Sequence, residues 1–392
     1  MTRSIVPEEL AGHYSDFRVS DRVLLTGHSH QAWPDVAREG VDAAWQDAAS
    51  RVDDKWDRAF AVADRVRHGW RRLLDDSTGG MALGQNTFEL VARFLSALPL
   101  RERPRIVTTD GEFHTVRRLL DRLAEEGVEV VKVPGDRGSD VADALSSAVT
   151  DRTSAVIVSS VLFRNAHLVP GLDAVSDACQ QAGAELLVDT YHALNAVPFS
   201  LPGSGLETAF VVGGGYKYCQ LGEGNCFLRF PADCGLRPVL TGWFAEFGAL
   251  AKPHEAGLVE YAQGDGLFAG ATYDPVSHYR GARVFDFFEE QSLTPERLRD
   301  LSQRQVGRLT EAIDALDLDP AVLVRDRSVD ITEIGGFLAL ETPFAEDASR
   351  ALKSRGVHTD YRGTTLRLGP APYVTDAQLD EAVNHLRESL PS

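Results

Sequence analysis

The feature of this chain that most constrains its fold is a regular alternation of short apolar runs and amphipathic helices between residues 105 and 230. The apolar runs are RIVTTD, VEVVKVP, SAVIVSS, AELLVDT and AFVVGGG. Segments between them, such as FHTVRRLLDRLAEEG, space apolar residues three and four apart, which is typical of helices. This alternation predicts βαβ units and an α/β fold with a mostly parallel sheet. Such sheets bind ligands at the carboxyl ends of their strands.

The pattern changes near residue 275, where two long helices are predicted. Short strands and helices at 345–355 and 375–389 follow, which is typical of a small α+β domain. The 392 residues are enough for two domains. We therefore predict an N-terminal segment, 1–50, that packs with the small domain, a large ligand-binding domain, 51–285, and a small C-terminal domain, 286–392.

Composition excludes several classes of function. A net charge of −18 argues against a nucleic-acid partner, because phosphates would be repelled. No run of about 18 apolar residues is present, so no membrane span is expected. The sequence has four cysteines without metal-type spacing, and they are too sparse for a disulfide framework. We therefore predict a reduced, cytoplasmic protein with no metal site, no nucleic acid and no membrane partner.

The segment FVVGGGYKYCQLGEG is the most informative for chemistry. It places Lys217 between two tyrosines just after a strand, where an α/β sheet has its ligand site. An amine there can form a Schiff base if its pKa is lowered. The local pattern alone favours a different interpretation, a surface lysine in a glycine-rich turn.

A second apolar strand, AELLVDT, ends at Asp189, and His192 follows three residues later. A carboxylate at a strand end can pair with a protonated ring nitrogen of a cofactor. His192 could lie against that cofactor or near the reacting carbon. The alternatives are a helix cap for Asp189 and a structural role for His192.

The segment GQNTFELVARF places Asn86 and Thr87 where a loop enters a helix. Hydroxyl, amide and free N–H groups at a helix start suit a phosphate, although ordinary helix capping explains them as well. A phosphate site, then Asp189, then Lys217 is the order that pyridoxal 5'-phosphate (PLP) requires: an anchor, a ring-nitrogen partner and a Schiff-base amine. We therefore predict PLP as the cofactor.

Five segments together resemble one enzyme family. In chain order they are LLTGHSHQAWP, DTYHALNAVP, YKYCQLGEG, TGWFAEF and TDYRGTTLRLGPAPYVT. They are similar, in the same order and across most of the chain, to segments of kynureninase, a PLP enzyme of the class V aminotransferase superfamily. The resemblance implies fold type I, with a mostly parallel seven-stranded sheet in the large domain. It also implies a homodimer whose active sites are shared across the interface.

Matching positions carry the family's roles. The resemblance implies that Tyr216 contacts the PLP phosphate and that Phe113 stacks on the ring, with His114 as the second choice. It further implies that Trp243 reaches the phosphate of the neighbouring subunit. Arg367 takes the role of the clamp for the substrate's α-carboxylate, which suits a planar guanidinium. Apart from the resemblance, Arg367 would be interpreted as a surface arginine on a strand.

The chain departs from the family at substrate-facing positions. His28 and Ser29 stand in a segment that reads Asn-Ser-Leu in the family, and Val116 replaces an Asp. Thr272 stands for a Ser that contacts the cofactor from the second subunit, and Tyr273 stands near its partner Asn. We therefore predict substrate contacts for His28, Ser29 and Tyr273, and a cofactor contact for Thr272.

The predicted function is PLP-dependent chemistry on a small amino acid, which displaces Lys217 to form an external aldimine. The closest resemblance favours kynureninase-like hydrolysis of a Cβ–Cγ bond. The alternatives are a β-lyase that eliminates a group from Cβ, or an aminotransferase, in secondary metabolism. A cysteine desulfurase is less favoured because Cys219 lies only two residues from Lys217. A non-catalytic protein of this fold is the alternative of another class.

Overall fold

The computed structural model describes residues 4–248, 250 and 257–391. Its α-helices are α1 Pro7–Ala11, α2 Ala37–Arg51, α3 Lys55–Leu74, α4 Thr87–Ala97, α5 His114–Glu125, α6 Gly138–Ala148, α7 Leu172–Ala182, α8 Val276–Glu290, α9 Pro295–Asp314, α10 Ala345–Ser354 and α11 Asp376–Ser389. Its strands are β1 Val23–Leu24, β2 Gly80–Gly84, β3 Arg105–Thr109, β4 Glu129–Val133, β5 Thr153–Ser159, β6 Glu185–Asp189, β7 Phe210–Gly214, β8 Cys226–Phe230, β9 Val324–Arg325, β10 Leu338–Glu341, β11 Val357–His358, β12 Asp360–Arg362 and β13 Thr365–Leu368.

The large sheet has seven strands in the order β2-β8-β7-β6-β5-β3-β4. Its pairs are parallel except for the two that β8 makes with β2 and β7. Every residue of β5 is buried, as expected for a central strand whose two faces are covered. The predicted α/β fold with a mostly parallel seven-stranded sheet is therefore confirmed.

One edge of this sheet collects the carboxyl ends of six strands. Because β8 is antiparallel to both of its neighbours, β2 runs in the same direction as β7. The carboxyl ends of β2, β3, β5, β6 and β7 therefore lie along one edge, together with that of β4. The loops after these strands supply the candidate site, as is general for open α/β sheets.

A second, antiparallel sheet of four strands has the order β12-β13-β10-β9. In its register, Asp360 of β12 is opposite Arg367 of β13. The N-terminal segment joins the C-terminal part of the chain through β1, which pairs in parallel with β11. Thr26 also bridges to Gly369, so the loop with His28 and Ser29 lies beside the end of β13.

Helix α11 shows how local sequence fixes an element of the C-terminal part of the chain. Thr375 and Gln378 form a reciprocal capping box at its start, which satisfies free backbone N–H groups. Leu379, Ala382 and Leu386 then recur at helical spacing and are buried. Within the described residues, no helix combines the length and the hydrophobicity that a membrane crossing requires.

Candidate active site

The amine of Lys217 lies at the carboxyl edge of the large sheet, in the loop after β7. The side chain is buried, with only 4% of the residue exposed. Its Nζ is 2.9 Å from Nε2 of His192. It also faces the rings of Tyr191 and Phe113, whose centroids are 4.5 Å and 5.4 Å away. Because of this burial, the pKa of Lys217 falls to about 7, although the carboxylate of Asp189 opposes the shift. A large share of the amine is thus neutral and nucleophilic near pH 7.

Asp189 is the last residue of β6, the strand next to β7. Its Oδ1 accepts a hydrogen bond from the backbone N–H of Tyr191 at 2.8 Å, which holds the carboxylate at the sheet edge. Burial raises the pKa of Asp189, while the Tyr191 N–H and the charge of Lys217 act in the opposite direction. The carboxylate and the amine are thus electrostatically coupled.

His192 connects Lys217 to the N-terminal segment. Its Nε2 lies 3.2 Å from the carbonyl oxygen of His28, in addition to the contact with Lys217. Burial lowers the pKa of His192 well below its ordinary value, and the nearby charge of Lys217 adds to the shift. His192 is therefore a neutral imidazole against the amine.

The start of α4 is the candidate phosphate site. The Oδ1 of Asn86 accepts the backbone N–H of Glu89 at 3.0 Å, so this side chain serves as the helix cap. Thr87 is the first residue of the helix. The N–H groups of the first turn still provide a positive end that suits an anion.

Tyr216 lies between two other rings. Its ring stacks on His30 with centroids 4.9 Å apart and an interplanar angle of 16°, and it is also 4.9 Å from the ring of Tyr191. Burial raises the pKa of Tyr216 to about 12, so the hydroxyl keeps its proton and can donate to an anion.

Arg367 reaches the same site from β13 of the four-stranded sheet. Its Nη1 donates to the carbonyl of Phe163 at 2.9 Å, and its Nη2 donates to Oδ2 of Asp360 at 2.5 Å. The guanidinium lies over the rings of Phe163 and Phe337. His28 is buried beside them, with Nε2 3.6 Å from Oδ2 of Asp360. Arg367 is therefore fully buried rather than a surface arginine.

Ser29, the neighbouring predicted substrate residue, forms its hydrogen bonds within its own loop. Its hydroxyl contacts Nδ1 of His30 at 3.2 Å, and its backbone N–H donates to the carbonyl of Thr26. In the described part of the chain, the Ser29 side chain forms no hydrogen bond with Lys217 or Arg367.

Three predicted residues lie apart from Lys217 within one chain. Trp243 is 46% exposed and packs on Phe244, and Tyr273 packs edge-on against the ring of Trp56. Thr272 and Tyr273 line a cavity of about 460 Å³ together with Gln85, which precedes α4. The resemblance assigns Trp243 and Thr272 to the neighbouring subunit's site, and that assignment stays a prediction.

Two acidic residues of the site were missed by the sequence analysis. One is Asp360, the partner of Arg367. The other is Glu112, whose carboxyl accepts the hydroxyls of Thr109 and Ser159 at 2.8 Å and 2.6 Å. Burial raises the pKa of Glu112 to about 7, with a further contribution from the charge of Asp189. In the sequence, the one signal for Glu112 was its position directly before Phe113.

The cysteines do not provide a reactive thiol. Cys179, Cys219 and Cys226 are buried, and burial raises the pKa of Cys179 and Cys226 to about 12. Burial raises the pKa of the less buried Cys234 to about 11. A desulfurase needs an accessible thiolate to accept sulfur, and none of these four thiols suits that role.

The chemistry of these donors fits PLP. The cofactor needs an anion site, a carboxylate for its ring nitrogen and an amine for its aldehyde. The start of α4, Asp189 and Lys217 provide these at one edge of the sheet, and the ring of Phe113 lies beside the amine. Among the described residues, no group of three His, Cys, Asp or Glu side chains could hold a metal ion.

Comparison with known proteins gives relatives along almost the whole chain. No protein-family model matches. A kynureninase of Burkholderia pseudomallei is 27% identical over 395 residues, covering 94% of this chain and 89% of the relative. A cysteine desulfurase of Rickettsia africae is 22% identical over 309 residues, covering 75% of this chain and 70% of the relative.

Solved structures show the same fold. A cysteine desulfurase of Thermococcus onnurineus superimposes with a TM-score of 0.83, at 15% identity and with 99% of both chains covered. A cystine C–S lyase in complex with cysteine persulfide superimposes with a TM-score of 0.80, at 14% identity, covering 95% of this chain and 99% of the lyase. These relatives support the predicted class, a PLP-dependent hydrolase or lyase. The predicted resemblance is confirmed: the chain has fold type I and is similar in sequence to kynureninases along almost its whole length.

Proposed function

We propose that this protein is a PLP-dependent enzyme that hydrolyses the Cβ–Cγ bond of an amino acid with an aryl-ketone side chain, as a kynureninase does. One observation carries the proposal. The buried amine of Lys217, with a pKa of about 7, lies beside Asp189 and His192 in a chain that is similar to a kynureninase over 94% of its length.

The residues at the sheet edge would hold the cofactor by complementary chemistry. Thr87 and the first N–H groups of α4, with the Tyr216 hydroxyl, would bind the phosphate. Asp189 would pair with the ring nitrogen, and Phe113 would cover a face of the ring. PLP, when bound, withdraws electrons from the Cα of an attached amino acid.

Lys217 would transfer the proton of the reaction, and His192 would orient its amine. Lys217 Nζ, once released from the cofactor, would take the proton from Cα, because its pKa of about 7 leaves much of the amine unprotonated. His192 lies 2.9 Å away and would orient the amine. The His28 carbonyl can only accept a hydrogen bond, so it favours the His192 tautomer with hydrogen on Nε2.

The substrate would lie between the sheet edge and the small domain. Arg367 would bind the α-carboxylate, and the rings of Phe163 and Phe337, which lie over its guanidinium, would exclude water from that ion pair. Aromatic walls also suit an aryl ketone. Trp243 and Thr272 would complete the site from a partner subunit of a homodimer, and the exposure of Trp243 supports this role.

A β-lyase is the second candidate function. Two observations favour it: the shared fold of the cystine C–S lyase, and the departure of His28, a predicted substrate contact, from the residue at the matching position of kynureninase. A β-lyase needs no protein thiol, so the buried cysteines do not count against it.

For location, we propose the cytoplasm, because Cys179, Cys219, Cys226 and Cys234 are all unpaired thiols.

Product analysis tests the proposal. Purified holoprotein is incubated in parallel with L-kynurenine and with a β-substituted alanine such as 3-chloroalanine. Hydrolysis gives anthranilate and alanine from the first, whereas a β-lyase gives pyruvate from the second. Lys217→Ala is the matched control and should remove either activity. Formation of pyruvate without anthranilate would favour β-elimination over hydrolysis. The absence of both products would refute both candidate functions.

A further inference from the structure

Asp360 lies between three groups at the inner end of the small-domain sheet. Because β12 and β13 pair in register, its carboxylate is directly opposite Arg367. Its Oδ2 accepts Nη2 of Arg367 at 2.5 Å, and its Oδ1 accepts Nη1 of Arg362 at 2.6 Å. The ring of His28 faces the same Oδ2 at 3.6 Å.

The guanidinium of Arg367 is fixed along only part of its edge. Nη2 is held by Asp360 and Nη1 by the carbonyl of Phe163. The plane is fixed by the rings of Phe163 and Phe337, whose centroids are 4.6 Å and 5.5 Å from the central carbon. Each Nη group thus has a hydrogen-bond partner, whereas Nε is buried and has none among the described residues. A buried N–H without an acceptor is costly, so this edge is the one that suits an incoming carboxylate.

We propose that Asp360 is a positioning residue, which holds Arg367 by its Nη groups so that the Nε edge faces the substrate's α-carboxylate. This role rests on the proposed function, in which Arg367 is the carboxylate clamp. Asp360 also carries a negative charge next to that clamp, so it must weaken the attraction of any anion. It lowers the affinity for anions in general and enforces one orientation of the guanidinium.

These two effects separate in a test with two ligands. Propionate needs only the positive charge of Arg367, whereas L-alanine must also place its amine at the cofactor. In Asp360→Asn holoprotein, we expect propionate to bind several-fold more tightly, because the opposing charge is gone. We expect L-alanine to change the cofactor spectrum on the order of 10- to 100-fold more slowly, because Arg367 is no longer held in place.

Asp360→Glu and Arg362→Gln are the matched variants. Asp360→Glu keeps the charge and moves it by one methylene, so L-alanine should react more slowly while propionate affinity stays the same. Arg362→Gln removes a half-exposed positive charge beside Asp360, so it should weaken propionate binding slightly, opposite in sign to Asp360→Asn. It should leave the rate with L-alanine nearly unchanged, because Asp360 still holds Nη2 of Arg367. Far-UV circular dichroism and melting temperature show whether each variant is folded.

Three results would overturn the positioning role. The first is that Asp360→Asn changes the propionate affinity and the L-alanine rate in the same direction. The second is that it changes neither quantity. The third is that wild-type protein does not bind propionate. A wild type that binds propionate but gives no spectral response to L-alanine contradicts the proposed function instead. In that case the propionate affinities alone test the effect of Asp360 on Arg367. Tighter binding to Asp360→Asn, with unchanged binding to Asp360→Glu, would support this effect. Equal affinities of wild type and Asp360→Asn would refute it.

Discussion

Lys217 should react with PLP at a pH where an ordinary lysine is almost inert. Its pKa is about 7, against about 10.4 for a free lysine side chain. At pH 8 roughly 90% of Lys217 is then neutral, against roughly 0.4% of an ordinary lysine, a difference of about 200-fold in the reactive form. Burial produces this shift, because water no longer stabilises the charged amine.

The assay follows the rate at which apoprotein takes up added PLP between about pH 6 and pH 10. The expected rate rises through about pH 7 and is flat above about pH 8. In Asp189→Asn the midpoint should move to lower pH, because the carboxylate that raises the Lys217 pKa is gone. Exposed Lys132 is an internal control: after borohydride reduction of the loaded protein it should carry no pyridoxyl label. A rate that keeps rising to pH 10 would refute the account of a desolvated amine.

Three further predictions concern stability. In urea unfolding, Lys217→Met apoprotein should be more stable than wild type by up to about 4 kcal/mol at pH 7. The reason is that the buried amine has a lowered pKa, so protonation favours the unfolded chain. The gain should shrink as pH rises towards 10. Asp76→Asn should cost about 3–5 kcal/mol in the same assay, since it leaves buried Arg229, now 2.7 Å from the Asp76 carboxylate, without its counter-ion; a loss below about 1 kcal/mol would contradict this. Glu112 has a pKa of about 7 when folded and about 4.3 when unfolded, so it holds an extra proton in the native state between these values; its contribution to stability should fall as pH rises from about 4.3 to 7, and Glu112→Gln should remove that dependence.

The sequence was sufficient for those parts of the site that depend on one strand and its following loop. Asp189 and Lys217 each follow an apolar run, and parallel strands bring such positions to one edge. Periodicity therefore predicted both the sheet and the place of the candidate site. The same local reasoning could not decide whether Asn86 caps helix α4 or binds an anion, because both roles use the start of a helix.

The rest of the site depends on contacts between distant segments. Asp360 pairs with Arg367 because a hairpin of β12 and β13 sets their register, which periodicity alone does not give. Glu112 is buried only because β3 and β5 are neighbours, which brings Ser159 to it. Trp243 and Thr272 are exposed within one chain, so their predicted roles depend on a second copy.

Reduction of the holoprotein with borohydride tests the central claim most directly, because it converts a cofactor held as an imine into a permanent label. Peptide mass spectrometry should find the pyridoxyl label on Lys217 and on no other lysine, and Lys217→Arg should carry none. A holoprotein labelled elsewhere, or a purified protein that binds no PLP and gives no labelled lysine, would contradict the assignment of Lys217 as the catalytic amine.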